Sequence, residues 1–319
     1  MVQTKALYNM LRMSAAEDPS FQVEPWAIED LRVFPLDQLW VRLGALGIRL
    51  DKDSFIQFSE EADSPEDLTE VLVDEEQDPA IYDQCYLLIF ELWRRLIPTR
   101  ASLSIFADEF DYQIHRFDQD EMDTDEPIQD ALARLSEILE EQIDAKVKPK
   151  DAFAMISDHC AHDLENFLYD YISDLLDQQN YSYTQELLDE FAGYFPKSSF
   201  FELLQARLLN RSDAFEANRK FEAILAKKPE LPLLFDLLET LVACGQHELF
   251  NKAMRQIIPQ IHLEEQLVEL LDLAADYYTR LDKEAKEAAV QQIKATRISK
   301  PTALRSSDPA IAQLKELFS

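Results

Sequence analysis

The run Asp158-His159-Cys160-Ala161-His162-Asp163 is the densest group of side chains able to ligate a metal. On a helix, His159 and His162 are three residues apart and would share a face, with Asp158 and Asp163 flanking them. Imidazole pairs at this spacing can hold zinc or another transition ion. His159, His162 and Asp163 are therefore the candidate metal ligands of an enzymatic alternative. No second Cys or His pair follows at zinc-site spacing, and His115, His247 and His262 are scattered. Asp111 and His115 form another pair, at i and i+4, of the kind in which a carboxylate orients an imidazole. No Ser or Cys nucleophile accompanies it, so a local helix contact explains it equally well.

His162-Asp163 also resembles the dipeptide of HD-type phosphohydrolases. That resemblance implies a metal-dependent hydrolase, which would need a further upstream His and a downstream Asp. His115 and several aspartates can be nominated, but a chain with 62 acidic residues supplies such candidates by chance. The acidic run Asp118–Glu126 invites a calcium reading, yet it fails the EF-hand pattern: counted from Asp118, position 5 is Met122 and position 6 is Asp123. Counted from Asp123, position 5 is Pro127. It reads better as a solvated loop that caps the next helix. No Gly-x-Ser-x-Gly elbow, His-Glu-x-x-His helix or Cys-x-x-Cys is present. No catalytic residue and no cofactor is assigned from sequence.

Composition narrows the field further. The 319 residues are a prior for two domains. Only 4 glycines occur, and none cluster as phosphate-cradling loops require. The same scarcity argues against hairpin-rich β-sandwiches and barrels. With 62 acidic and 31 basic residues, the formal net charge is −31, which repels nucleic acid. The charge is uneven. Residues 1–200 hold 44 acids and 15 bases, whereas 201–319 hold 18 and 16. Cys85, Cys160 and Cys244 are far apart and odd in number, which suggests buried thiols in a reducing, cytoplasmic setting. Met1–Tyr8 shows no signal-peptide pattern, and no apolar run is long enough to span a bilayer. A secreted effector without a cleavable signal fits the same features.

The elements that must position these residues are helical nearly throughout. Leu36, Leu39, Trp40, Leu43 and Leu46 form one stripe after Pro35. Ser64-Pro65-Glu66-Asp67 reads as an N-cap followed by a helix start. Pro79 opens a helix that must stop before Pro98. The spacing predicts further helices over 102–117 and 127–144. A flexible start extends to about Pro19. The basic connector Lys146–Lys150 is read as a boundary, giving an acidic helical domain at 1–148. A tail at 299–319 holds a possible docking helix over Ile311–Phe318.

Prolines 196, 229 and 259 each close a helix–turn–helix pattern. In 198–229, Phe201, Leu204 and Leu208 stripe a first helix; Ala217, Phe221 and Ile224 stripe a second. Looser units lie on either side, one closing at Pro196 and one turning at Gly245, and 262–281 with 283–297 form one further pair. This pattern resembles the tetratricopeptide repeat, with a large apolar residue early in helix A, a small residue opening helix B, an aromatic four later and a closing Pro. It departs from the family where Ile172, Gln205 and Leu238 replace the small residue in helix A. The fold class expected is all-α, a helical domain followed by a tetratricopeptide-like stack over 149–298. The resemblance implies a protein-binding adaptor, scaffold or chaperone, and with the low pI an acidic secretion chaperone. The expected partner is a basic or amphipathic protein segment. Tyr171, Tyr181, Tyr183 and Tyr194 are the candidate groove residues.

Overall fold

A computed structural model describes residues 4–74, 76–100, 102–244, 246–295, 297, 302–305 and 308–318, without the Cys244 side chain. It is all-α: 73% of the described residues are helical and no strand occurs among them. Two compact units emerge, Met1–Leu168 and Tyr169–Ser319. The basic connector at 146–150 thus lies inside the first unit.

Unit 1 contains α1 (Lys5–Glu17), α2 (Leu36–Ala45), α3 (Lys52–Ser59), α4 (Pro65–Leu72), α5 (Pro79–Leu96), α6 (Leu103–Asp118), α7 (Glu126–Asp144) and α8 (Pro149–Ser157), with α9 (Leu164–Asp177) beginning before its end. Its axis is α5. Every residue from Cys85 to Trp93 is buried, as expected of a helix apolar on most of its circumference and covered on several sides. The covering elements are α2, α4 and the 3-10 turn Leu31–Val33. The polar atoms are satisfied: Trp93 Nε1 donates to Arg100 O at 3.0 Å, and Tyr86 Oη to Glu66 at 2.6 Å. The Ser64 cap forms as expected, its Oγ accepting from Asp67 N. The expected flexible start is instead α1, which packs on α6 and buries Ala6, Tyr8 and Asn9.

Unit 2 contains the rest of α9, then α10 (Tyr181–Phe191), α11 (Ser199–Leu209), α12 (Ala214–Ala226), α13 (Leu231–Cys244), α14 (His247–Ile257), α15 (Glu264–Arg280), α16 (Glu284–Lys294) and α17 (Pro309–Leu317). Consecutive helices pair as α11/α12, α13/α14 and α15/α16. Neighbouring pairs stack through α11 on α13, α13 on α15 and α12 on α14. The burial pattern repeats every 33 residues. Asn180, Asp213 and Gln246 precede α10, α12 and α14. Thr184, Ala217 and Phe250 are buried at one level, and Leu188, Phe221 and Met254 at the next. Tyr171, Leu204, Leu237 and Leu270 do the same in the first helices. The proline spacing is less regular than this register because Pro259 lies in a 3-10 turn after α14 rather than at the equivalent of Pro229.

The docking helix is α17. Ala310, Ile311, Leu314 and Phe318 are buried in the unit 2 core, where Phe318 lies 5.6 Å from Tyr278 and 6.0 Å from Phe250, ring centre to ring centre. Residues 299–301, at the start of the expected tail, lie outside the described residues.

Five helices end in a Schellman turn, with α2 as the glycine case: Gly47 takes φ +105° and Ile48 N donates to Leu43 O. The other four place Asp120, Lys146, Gln179 and Asp282 in the left-handed region, and Lys228 takes the same conformation after α12, where Pro229 has no N–H for the closing bond; φ at the five lies between +53° and +68°. No helix among the described residues is long and apolar enough to cross a membrane.

Candidate functional site

The His159–His162 segment is not helical. α8 stops at Ser157, because a turn forms in which His159 N donates to Ile156 O and Cys160 N to Ser157 O. The two imidazoles therefore do not share a helix face. His159 Nδ1 bonds Met155 O at 2.9 Å, and His162 Nδ1 bonds Asp111 Oδ1 at 3.0 Å. Asp163 caps α9, accepting from Glu165 N, Asn166 N and Asn166 Nδ2. No group of three or more His, Cys, Asp or Glu placed to hold a metal occurs among the described residues. Cys85 and Cys160 are free and buried. Burial raises the Cys85 thiol to about 11, and burial with the Asp111 charge raises Cys160 further, so neither is a ready thiolate.

Asp111 does not pair with His115 among the described residues. Its oxygens accept from Ala161 N at 2.8 and 3.0 Å, His162 N at 3.0 Å and Asn9 Nδ2 at 3.2 Å, besides the His162 ring. One turn earlier on α6, Asp108 is buried against α1 and the 3-10 turn. Lys5 Nζ lies 3.2 Å from one oxygen and Arg32 Nη2 donates to the other at 2.6 Å. Burial alone would raise the Asp108 carboxyl; Lys5 and Arg32 overcome it and hold it below the usual carboxylate range. Arg32 continues to Glu109 at 2.7 Å, and Arg94 reaches the same carboxylate at 3.2 Å. Arg94 and Arg95 both bond the buried Glu91, and Arg95 also ties down the carbonyls of Leu31, Arg32 and Phe34.

In unit 2, Tyr171 is 2% exposed and part of the core. Tyr183 and Tyr194 are half-buried, the latter 6.5 Å from Phe191 ring to ring. Tyr181 stands at the edge of a cleft of about 560 Å³ between α10 and α12, floored by Gln205 and Leu208 of α11. The Arg211 guanidinium lies 3.3 Å over its ring. A neighbouring cleft of about 370 Å³ shares Gln205 and Lys220 and extends to Lys227, which is paired with Glu202.

A second surface of unit 2 was not anticipated. The 33-residue register sets Asp236 and Glu239 of α13 beside Glu269 and Asp272 of α15, two helices that pack together. Burial, then the neighbouring Glu239, Asp236 and Glu265 carboxylates, push the Glu269 carboxyl above its ordinary range. Burial does the same to Asp236, opposed by a hydrogen bond from Tyr169 and the Arg207 charge. Of the basic stretch 280–305, Lys294 pairs with Asp272 at this surface, whereas Arg280 bonds Val242 O and Arg297 pairs with Glu264 and Asp308. No protein-family model, curated protein or solved structure matches the chain.

Proposed function

We propose that the chain is a protein-binding adaptor or chaperone whose helical-pair stack holds a basic or amphipathic segment of a partner protein. The observation that carries this reading is the carboxylate surface of α13 and α15. Asp236, Glu239 and Glu265 gather around Glu269, whose carboxyl is pushed above its ordinary range first by burial and then by these neighbouring charges. Like charges set side by side oppose folding, and a cationic segment lying across them removes that opposition. The Tyr181 cleft supplies a complementary apolar contact at another part of the same unit, with Leu208 and Leu209 beneath it. The hydrolase alternative at His159, His162 and Asp163 has less support. Asp163 is occupied in capping α9 and His162 Nδ1 in bonding Asp111.

The test is fluorescence anisotropy of a labelled amphipathic helix of Leu and Lys, with a Leu and Glu helix as control. Full-length protein should bind the first, with affinity falling as salt rises. The double variant Asp236→Asn, Glu269→Gln should weaken binding roughly tenfold, matching a loss of about 1.4 kcal/mol. Equal affinity for both peptides, or an unchanged affinity in the double variant, would overturn the proposal.

A further inference from the structure

The second helices of the stack in unit 2 are joined in different ways. α12 packs directly on α14. α17 packs on α16 and on the 3-10 turn Ile258–Gln260 that follows α14. Its end is held by Phe318, whose ring meets Phe250 of α14 and Tyr278 of α15 and whose carbonyl accepts from Arg255 Nη1 at 3.3 Å. A short amphipathic helix thus sits in a trough made by α14, α15 and α16.

Two repeats earlier, the register places an equivalent trough at α10, α11 and α12. The equivalence reaches its mouth. In the filled trough, Tyr277 stacks on His247, and Tyr277 Oη lies 3.0 Å from His247 Nδ1. At the same two register positions, the Arg211 guanidinium stacks on the Tyr181 ring. The clefts beside Tyr181 and Lys227 share Gln205 and Lys220, so they form one trough that runs from Tyr181 to Pro196 over α11. The eleven residues of α11 give it a length of roughly 16 Å, about three helical turns. α17, with nine residues, is an occupant of similar length.

Floor and charge decide what fits here. Leu208 and Leu209, half-buried, stand where α15 has the buried Ala274 and Ala275. A raised floor calls for small side chains on the occupant, because facing layers interdigitate large against small. The lining carries Arg211, Lys220 and Lys227 against Asp189 and Glu202, in a chain with two acids for every base. Glu202 is paired with Lys227, and Asp189 accepts from Gln185 Nε2 at 2.8 Å. Arg211 and Lys220 have no carboxylate partner among the described residues.

We propose that this trough docks a partner protein's amphipathic helix of about three turns, with Ala-sized side chains facing Leu208 and Leu209 and carboxylates facing Arg211 and Lys220. The inference rests on reading unit 2 as a protein-binding stack, and it adds a second surface whose charge preference is opposite to that of α13 and α15. Cations at the rim steer an acidic helix to the trough and fix its register.

The test is fluorescence anisotropy on the full chain with labelled helices of about three turns, stapled because unstapled ones of that length scarcely form in water. The probe has Ala on one face and Glu along the flanks. One control replaces Ala by Leu, and the other replaces Glu by Lys. The Ala and Glu helix should bind saturably, more weakly as salt rises, and about tenfold more tightly than either control. Arg211→Gln with Lys220→Gln, both at positions reached by solvent, should weaken it about tenfold, the usual effect of losing charge-assisted hydrogen bonds. Leu208→Ala lowers the floor and should shift preference toward the Leu-faced helix. Asp236→Asn with Glu269→Gln should bind the probe as the parent does, which separates this site from the carboxylate surface. No saturable binding of the Ala and Glu helix, equal binding of the Lys control, or affinity unchanged in the Arg211 and Lys220 double variant would overturn the docking site and leave the α13 and α15 proposal standing.

Discussion

Tyr169 Oη donates to Asp236 Oδ2 at 2.7 Å, joining α9 to α13 across the face of unit 2, while the Tyr169 ring meets Phe200 edge-on at 5.0 Å. The bond stabilises an Asp236 carboxylate that burial disfavours, and burial prevails. A carboxyl raised in the folded state binds protons more tightly there than in the unfolded chain. The contribution of this group to stability is therefore largest below the ordinary carboxylate range and falls as pH rises from that range through the raised value. Asp174 and Glu269 are raised in the same direction.

Asp236→Asn removes one of these ionisations and keeps an acceptor for Tyr169. Its melting temperature should match the parent at pH 4 and exceed it at pH 7. Solvent screening limits the gain to roughly 2–4 °C, the equivalent of about 1 kcal/mol in a unit of this size. Calorimetric scans across pH measure it. A variant less stable than the parent at pH 7 would contradict the assignment of Asp236 as a destabilising charge.

Asp108→Asn should act in the opposite direction. It leaves Lys5 and Arg32 buried beside a neutral amide, and breaking a buried ion pair on one side costs about 3–5 kcal/mol. Because the folded carboxyl is held low, the loss is full at pH 7 and shrinks as pH falls through that lowered value. Trp26, Trp40 and Trp93 all lie in unit 1, so urea titration followed by tryptophan fluorescence isolates this transition.

Phe318→Ala should detach α17. The ring is 1% exposed and packed on Tyr278 and Phe250, and truncating a buried Phe costs about 3–5 kcal/mol. Protease cleavage between α16 and α17 should accelerate while tryptophan fluorescence stays as in the parent. Unchanged cleavage would mean that Phe318 does not hold the helix down.

Long apolar stripes made most helices legible. The stripe in α5, the Ser64 cap and each helix of the stack follow from spacing and punctuation that survive folding. α1 was not legible, because its buried face is Ala6, Tyr8 and Asn9 rather than a run of Leu or Ile. Missing α1 also hid the Asp108 and Asp111 environments, which Lys5 and Asn9 complete from about a hundred residues away. The His162–Asp111 bond was obscured for a related reason. Helical spacing drew Asp111 toward His115 and His162 toward His159, and the break after Ser157 sets a different pairing. Asp236 and Glu269 could have been found from the 33-residue burial register, but proline spacing masked it by placing Pro259 three residues early.

The five non-glycine helix ends in the left-handed conformation have a consequence for engineering the chain. Asp120, Lys146, Gln179, Lys228 and Asp282 each occupy a left-handed conformation that disfavours a side chain by about 1–2 kcal/mol. Glycine relieves this, less the entropy it adds to the unfolded chain, for a net gain of roughly 0.5–1 kcal/mol per site. The sites are far apart along the chain, so their gains should sum. The native molecule thus carries unused thermal headroom at positions unrelated to its carboxylate surface, and a glycine-enriched variant could tolerate the loss of a core contact that would unfold the parent.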